Sequence, residues 1–412
     1  MIDLDKIVKN TFYNTIGSFV YLFSQWLMSI LVVRLSGSYE EAGVLGIALA
    51  VSNILYAIST FSVRYYQVAD INDKFSNDEY FTFRIITCST SLIILPIYLI
   101  IMRYSLYISL SIMCYMLIKI AESIVDVVHG VFQKAWRLDI ACKSFIIRGV
   151  ANLAVFSISE WLFKNLIISL FLSAIVSLFF SLLFDVRLCK SMFGFDIDFK
   201  NPKLFKLFCC SLPMFLHGFL NILINNTSRI IAQKVCGEEL LGFYSSVAAP
   251  TIVVQLLVFN VFSPCITKMS EQYQNRDNTI FRTIAAIQGI IIFFLIAAVI
   301  GFAVLGETFL KIVFGEEILE YKNLLIPAVL GAVSIATTVF VSSIFTATGH
   351  NIIMVILEGI TFVVNLILSV VLINKFSLQG INYALILSCV LYVIVGYCVA
   401  LSIIVSDYRR SA

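Results

Sequence analysis

A long apolar stretch between Phe205 and Lys234 carries polar side chains at every fourth position. A helix turns by about 100° per residue, so this spacing places the polar side chains on one stripe. Polar groups inside a membrane are costly and usually face a bundle interior or a wet cavity. We therefore expect one face of this helix to line a polar cavity, through His217, Asn221, Asn225 and Arg229.

The first apolar stretch of the chain carries a similar stripe, with Asn14, Ser18 and Gln25, and Asn53 lies on the next stretch. Together the two stripes offer neutral donors and acceptors and one permanent cation. This chemistry suits a cargo that is rich in hydroxyl groups and carries an anionic group. The alternative is that these side chains only join helices by hydrogen bonds, which contribute about 0.6 kcal/mol each on average.

A charged cluster lies on the fourth apolar stretch. Lys119, Glu122 and Asp126 are spaced by three and four residues, so they share one face of a helix. Arg148 enters the following stretch at a similar depth. Two acids and two bases there would neutralise each other, either as a structural clamp or as an inner gate or head-group site.

Two further positions carry charge near or within apolar stretches. Glu358 shares a helix face with Thr361 and Asn365. A carboxylate within hydrocarbon favours its protonated form, so Glu358 is a candidate for ion coupling. The alternative is that it pairs with a cation elsewhere. Arg64 begins an aromatic and basic segment that is typical of a membrane interface, although a solvated linker is also consistent.

The composition indicates an integral membrane protein. Hydrophobic residues make up 60% of the 412 residues and charged residues only 13%, whereas soluble domains carry about 25% charge. A membrane span needs about 20 apolar residues. The sequence predicts twelve such spans, roughly at 11–33, 43–63, 85–102, 104–127, 145–163, 165–184, 205–233, 240–262, 283–305, 323–347, 351–374 and 380–405.

The distribution of basic residues predicts the orientation. With the N-terminus in the cytoplasm, the inner segments hold 18 Lys and Arg and the outer segments hold 7. Basic residues concentrate in cytoplasmic loops, so both termini are expected to be cytoplasmic. The protein is then an all-α integral membrane protein with twelve transmembrane helices.

The spans divide into two similar blocks of six. The first block leaves its first span through RLSGSYEEAGVLG, residues 34–46, and the second through KVCGEELLGFY, residues 234–244. Such parallel repeats occur in several transporter folds. The predicted organisation is an N-terminal lobe at 1–184, a cytoplasmic linker at 185–204 and a C-terminal lobe at 205–412.

Signatures of catalysis are missing from the sequence. It contains no P-loop, HExxH, GxSxG or dinucleotide-binding fingerprint. No Cys/His spacing typical of a metal site occurs, and the ten cysteines are interpreted as packing residues. The sequence therefore predicts no catalytic residue, metal or cofactor, and no nucleic-acid partner.

Two blocks of six spans, a Gly-containing turn after the first span of each block, and the segment RYYQVAD at Arg64–Asp70 resemble bacterial polysaccharide flippases of the Wzx type. These belong to the multidrug/oligosaccharidyl-lipid/polysaccharide exporter superfamily. The resemblance implies two six-helix lobes that form a V around a central cavity. It implies transfer of undecaprenyl-diphosphate-linked oligosaccharide across the bacterial inner membrane, from the cytoplasmic to the outer leaflet, for O-antigen of lipopolysaccharide or for capsule. A polysaccharide polymerase and a chain-length regulator are the implied protein partners.

Two other functions are weighed against the flippase. A cation-coupled multidrug exporter of the same superfamily usually has an acidic residue in its first or seventh span, and residues 11–33 and 205–233 contain neither Asp nor Glu. A membrane oligosaccharide polymerase typically needs a large outer loop, and the longest one predicted here is 306–322. The sequence therefore favours the flippase.

Overall fold

The computed structural model describes residues 4–70, 73–262 and 265–410. These residues form α-helices, one π-helical and one 3-10 segment, and no strand. The α-helices are α1 Leu4–Ser36, α2 Tyr39–Thr60, α3 Val63–Ala69, α4 Asn77–Met102, α5 Leu106–Lys134, α6 Leu138–Phe163, α7 Leu166–Phe180, α8 Arg187–Phe193, α9 Lys203–Cys236, α10 Glu238–Ala248, α11 Thr251–Phe262, α12 Cys265–Gln274, α13 Thr279–Phe314, α14 Leu325–Ala347, α15 Asn351–Phe376 and α16 Gln379–Arg410.

Eleven helices among the described residues are long and apolar enough to cross a membrane. Their outer surfaces are apolar as well: α13 exposes Ile292, Phe293 and Val304, among other large hydrophobic side chains. A soluble protein rarely exposes such continuous apolar surface. The chain is therefore an all-α, multi-pass membrane protein.

The predicted eighth span, 240–262, is not one continuous helix. It consists of α10 and α11, with a break at Ala249 and Pro250. The amide of Ala249 donates to the carbonyl of Ser246, three residues earlier, and Pro250 has no amide proton to donate. Two consecutive α-helical hydrogen bonds are therefore missing, and the helix is interrupted at this point.

The chain divides into two compact units, Met1–Phe219 and Leu220–Ala412. The division falls within α9 rather than at residues 185–204. In the first unit, the initial half of α9 packs against the end of α2: the ring of Phe215 stacks on Phe61 with centroids 4.0 Å apart. These aromatic contacts explain why residues beyond 204 remain with the first unit.

Close helix packing in the first unit depends on two glycines. A Cβ on Gly17 of α1 would lie 2.7 Å from the backbone of Cys142 in α6, and one on Gly149 of α6 would lie 3.1 Å from the backbone of Tyr21. Small residues allow membrane helices to approach closely. The contact along α1 and α6 therefore holds Tyr21 beside Arg148, where the charged side chains of this unit gather.

In the second unit, α14 packs against α11, α13 and α16, and α15 packs along α16. Polar side chains are buried among these helices. Asn365 donates its amide to the hydroxyl of Ser388 at 3.0 Å. Ser342 lies between Glu358 and Tyr392, at 2.8 Å and 2.7 Å respectively.

Candidate functional site

Five helices of the first unit surround a small charged cavity of about 90 Å³. Its walls come from α1, α2, α3, α5 and α6. The lining residues are Tyr21, Tyr56, Arg64, Glu122, Val125, Asp126, His129, Phe145 and Arg148. We call this space the charged cavity.

Glu122 accepts three hydrogen bonds at one side of the charged cavity. They come from the hydroxyl of Tyr21 at 2.5 Å, the amide of Gln25 at 2.7 Å and the ammonium of Lys119 at 2.8 Å. Lys119 precedes Glu122 by one turn of α5, as the sequence spacing predicts. Helix α1 therefore presents its polar face to a carboxylate of α5.

Asp126, one turn further along α5, pairs with two arginines. Arg84 Nη2 lies 2.7 Å from its carboxylate, and Arg64 Nη1 lies 3.4 Å away. Arg84 is only 2% exposed and also donates to the carbonyl of Ser59 and the hydroxyl of Ser123. The pair between Arg84 and Asp126 is therefore fixed by hydrogen bonds, whereas Arg64 is held more loosely.

Arg148 reaches the charged cavity from α6. Its Nε atom lies 3.7 Å from Asp185 and donates to the hydroxyl of Ser144 at 3.3 Å. The guanidinium also lies over the ring of Tyr21, 5.2 Å from its centroid. Within the described residues, the Nη1 and Nη2 atoms of Arg148 make no hydrogen bond, so they remain available to an anion in the cavity.

The charges around this cavity do not balance. The cations are Arg64, Arg84, Lys119 and Arg148, and the carboxylates are Glu122, Asp126 and Asp185. His129 also lines the cavity, and its Nε2 atom is buried without a hydrogen-bond partner. Buried ion pairs contribute little to net stability, because desolvation opposes the Coulomb attraction. An excess cation at such a site instead favours binding of an anionic group.

The structure brings Lys119, Glu122, Asp126 and Arg148 to one site. Of the four, only Lys119 and Glu122 pair with each other, and the other two have partners outside this set. The partner of Arg148 is Asp185, and the partners of Asp126 are Arg64 and Arg84. Sequence reasoning counted Arg84 and Asp185 among cytoplasmic connections. The sequence does contain a signal that Asp185 is buried. Serines recur at every fourth position from Ser169 to Ser181, all of them buried, and Asp185 is the next position of this series.

The other predicted cavity residues lie elsewhere. Gln25 contacts Glu122, but the residues lining the charged cavity do not include Asn14, Ser18 or Asn53. The four residues of the α9 stripe are half-buried on one helix, namely His217 in the first unit and Asn221, Asn225 and Arg229 in the second.

Asn225 donates its amide to the side-chain oxygen of Asn221 at 3.2 Å. Arg229 makes no hydrogen bond or salt bridge within the part of the chain that is described. Glu358 belongs to the second unit and is fully buried.

The fold is similar to that of membrane transporters of known structure. A multidrug resistance MATE family transporter of the MOP superfamily, in an inward-facing conformation, matches with a TM-score of 0.74 and 12% identity over 97% of this chain and 99% of the other. A MOP superfamily transporter from Pyrococcus furiosus, described as having a binding pocket of reverse polarity, matches with a TM-score of 0.60 and 15% identity over 98% and 96%. At these identities the likeness concerns the fold.

Sequence comparison narrows this class. The family described as polysaccharide biosynthesis protein matches residues 31–323, which is most of the chain, and the protein belongs to that family. It is also similar to the capsular polysaccharide biosynthesis protein CapF of Staphylococcus aureus, with 25% identity over 377 residues, covering 91% of this chain and 94% of the relative.

Proposed function

We propose that this protein is a flippase that moves undecaprenyl-diphosphate-linked oligosaccharide repeat units from the cytoplasmic to the outer leaflet of the bacterial inner membrane. The product would serve the synthesis of capsule or O-antigen. The observation that carries this proposal is the excess of cations at the charged cavity, in a chain of the polysaccharide biosynthesis family. A diphosphate is anionic, and arginine binds phosphate oxygens through two parallel hydrogen bonds.

The size of the charged cavity limits what it can hold. Its volume of about 90 Å³ is well below the roughly 300 to 1,000 Å³ of typical ligand pockets. Of the parts of the proposed substrate, the phosphate group is small and carries the charge that the cations of this cavity complement. We therefore assign Lys119, Glu122, Asp126 and Arg148 to recognition of the head group or to an inner gate.

An exchange of partners would link phosphate binding to a structural change. Arg64 lies 3.4 Å from Asp126 and donates to Gln133 at 3.0 Å, so it is bound less tightly than Arg84. An incoming phosphate would replace Asp126 as the partner of Arg64. Arg148 would contribute its free Nη atoms to the same anion.

The glycan is assigned to the polar stripes. His217, Asn221, Asn225 and Arg229 share one face of α9, and amide and guanidinium groups are suited to sugar hydroxyls and phosphate. Asn14, Ser18 and Asn53 extend the same chemistry on α1 and α2. The half-buried amides on this membrane-spanning helix support the assignment, because polar side chains within a membrane usually line a transport pathway.

Energy coupling is assigned to Glu358 in the second unit. Its side chain is fully buried and accepts a hydrogen bond from Ser342 at 2.8 Å. Ionisable side chains buried within a membrane usually mark ion or proton pathways. Moving one charge across the membrane is worth about 2.3 kcal/mol per 100 mV, so the membrane potential can also contribute.

The proposed orientation has both termini in the cytoplasm. It is supported by the 18 Lys and Arg in the segments assigned to the inside, against 7 outside. In this orientation, the α1–α2 connection faces outward. A polysaccharide polymerase and a chain-length regulator are the proposed partners, because the flipped repeat units must next be joined.

Deletion of the gene tests the function directly. We expect the lipid-linked oligosaccharide to accumulate on the cytoplasmic face of the membrane and surface glycan to be lost. Complementation with the unmodified gene should restore both. A deletion strain whose lipid-linked intermediate is exposed on the outer face at the normal level would refute the flippase.

The fold similarity to MATE family transporters also supports a second function, export of small molecules. If the protein is an exporter, the deletion strain should become sensitive to cationic drugs while its surface glycan is unchanged. In a flippase, the reverse pattern is expected. The two phenotypes can be scored in the same strain, with the complemented strain as the control.

A further inference from the structure

Glu160 is a buried carboxylate that the charged cavity does not use. It lies near the C-terminal end of α6 and is 0% exposed. Neither of its oxygens accepts a hydrogen bond within the described residues, and no salt bridge there involves it. By contrast, Glu122, Asp126 and Asp185 each lie beside a cation of the same unit.

The polar side chains around Glu160 already have other partners. Tyr107, at the start of α5, donates its hydroxyl to Glu41 of α2, with its oxygen 2.6 and 2.7 Å from the two carboxylate oxygens. Ser169 of α7 is the hydroxyl next to Glu160, and its hydrogen bond of 3.2 Å goes to the backbone carbonyl of Asn165. Glu41 itself acts on Glu160 as a second negative charge.

Neither acid of this pair forms a salt bridge among the described residues. Lys164, the basic residue that follows α6, is exposed. Glu41 and Glu160 therefore lack an ion-pair partner.

An ionised carboxylate that is buried without a cation is strongly unfavourable, because one neighbouring hydroxyl does not replace the lost hydration, and such a group binds a proton instead. A neighbouring carboxylate increases this tendency through repulsion. We propose that Glu160 is a proton-binding site at the end of the first unit where α1 meets α2, and that its proton is exchanged during transport. The exchange rests on the proposed function, whereas the proton site itself does not.

A row of buried polar residues leads from Glu160 to the charged cavity. Hydroxyls recur at every fourth position of α7 and of the π-helical turn Ser181–Val186 that follows it. The row comprises Ser169, Ser173, Ser177 and Ser181, and it ends at Asp185, each at most 2% exposed. Packing of α7 against its neighbours does not by itself require a hydroxyl at each of these positions. The Ser173 hydroxyl has no hydrogen-bond partner among the described residues.

The row also has a polar counterpart on α6. Ser177 donates to the side-chain oxygen of Asn152 at 3.0 Å, and Asp185 lies 3.7 Å from Arg148. The polar environment therefore continues from the proton site to the cations of the charged cavity. A proton taken up at Glu160 can in this way influence the charge of the unit that binds the anionic head group.

The protonation of Glu160 can be measured without any transport substrate. The full-length protein is purified in detergent, and its infrared spectrum is recorded over a pH series. A carboxylic acid has a C=O stretching band that a carboxylate lacks. We expect this band at neutral pH, with reduced amplitude in Glu160→Gln and unchanged amplitude in Glu40→Gln, whose parent side chain is exposed beside Glu41.

Equal bands in Glu160→Gln and the unmodified protein at neutral pH would overturn the proton site. If Glu160→Gln does not fold, Glu160→Asp provides a second comparison, because it keeps the acid in a different position. The band should then shift in frequency, and an unshifted band would equally overturn the site.

Exchange during transport is tested by surface glycan per protein molecule over a series of external pH values. One exchanged proton allows a dependence of up to about tenfold per pH unit. We expect this dependence in the unmodified protein and in Glu40→Gln, and a flat profile in Glu160→Gln. A flat profile in the unmodified protein, or an unchanged slope in Glu160→Gln, would overturn the exchange. If the deletion strain refutes the flippase instead, the infrared band still decides the proton site.

Discussion

The pair formed by Arg148 and Asp185 allows a structural role to be separated from a role in transport. Both side chains are buried, at 3% and 0% exposure, so solvent screens their attraction little. Replacing Arg148 with Ala leaves Asp185 without its cation. Loss of one partner of a buried pair costs about 3 to 5 kcal/mol.

Two features of the structure narrow this range. The contact of 3.7 Å is longer than a hydrogen bond, which favours the lower limit. Asp185 can also take up a proton, which costs an ordinary aspartate about 4 kcal/mol at pH 7 and therefore sets a ceiling. We expect Arg148→Ala to destabilise the protein by about 3 to 4 kcal/mol.

The double variant Arg148→Met/Asp185→Leu removes both charges and keeps similar volumes. Such replacement of a buried ion pair is often neutral or stabilising. We therefore expect the double variant to regain the thermal stability that Arg148→Ala loses, while surface glycan remains absent because the anion contact is gone. The assays are the thermal midpoint in detergent and the surface glycan per molecule in the membrane.

A matched control is the pair of Lys311 and Glu316, which lies 2.8 Å apart with both side chains exposed. Lys311→Ala should leave the midpoint and the glycan unchanged, because exposed pairs contribute little. Normal glycan export by the double variant would show that Arg148 acts only through Asp185. Arg148→Ala with the midpoint of the unmodified protein would show that the pair carries no stability.

Three further predictions concern other parts of the chain. Arg229→Ala is expected to abolish surface glycan at normal expression, and Arg229→Lys to restore it partly, since Lys keeps the charge but loses the bidentate contact. The control is Arg282→Ala, at an exposed arginine. Normal export by Arg229→Ala would remove Arg229 from the pathway. Reporter fusions at Lys200 and Ala412 should be active in the cytoplasm, and outer-face labelling of a cysteine at either position would contradict the orientation. Asp70→Asn should lower the thermal midpoint at pH 7. The difference should begin to shrink as the pH falls below about 4 and should vanish below the folded pKa of Asp70. A difference that stays constant over this whole pH range would refute the argument.

The prediction for Asp70→Asn rests on the hydrogen bonds that the Asp70 carboxylate accepts. Burial opposes the charge of Asp70, but backbone amides of Lys74 and Phe75 and the hydroxyl of Tyr80 donate to its carboxylate at 3.0 to 3.1 Å and lower its pKa. A carboxyl whose pKa is lower in the folded protein stabilises the fold above its unfolded pKa of about 3.9, and this contribution is lost as the pH falls through the folded value. The expected loss in Asp70→Asn at pH 7 is about 1 kcal/mol.

The sequence determined the class of protein and most of its helices. Long apolar stretches fix membrane spans, because the bilayer demands about 20 apolar residues and internal hydrogen bonding in each. The spacing of Lys119, Glu122 and Asp126 placed them on one face of α5, since residues three and four apart are neighbours on a helix. These results depend only on the local geometry of the chain.

The partners of the charged residues were decided by the tertiary structure. Arg84 lies 42 positions from its partner Asp126, and Asp185 lies 37 positions from its partner Arg148, and no local sequence feature names either partner. Asp126 meets Arg84 because α4 packs on α5, and Arg148 meets Asp185 because α6 packs on α7, whose π-helical continuation carries Asp185. The break at Pro250 and the burial of Glu160 likewise follow from packing. Spacing within one helix can be read from a sequence, whereas contacts between helices depend on which faces the whole bundle buries together.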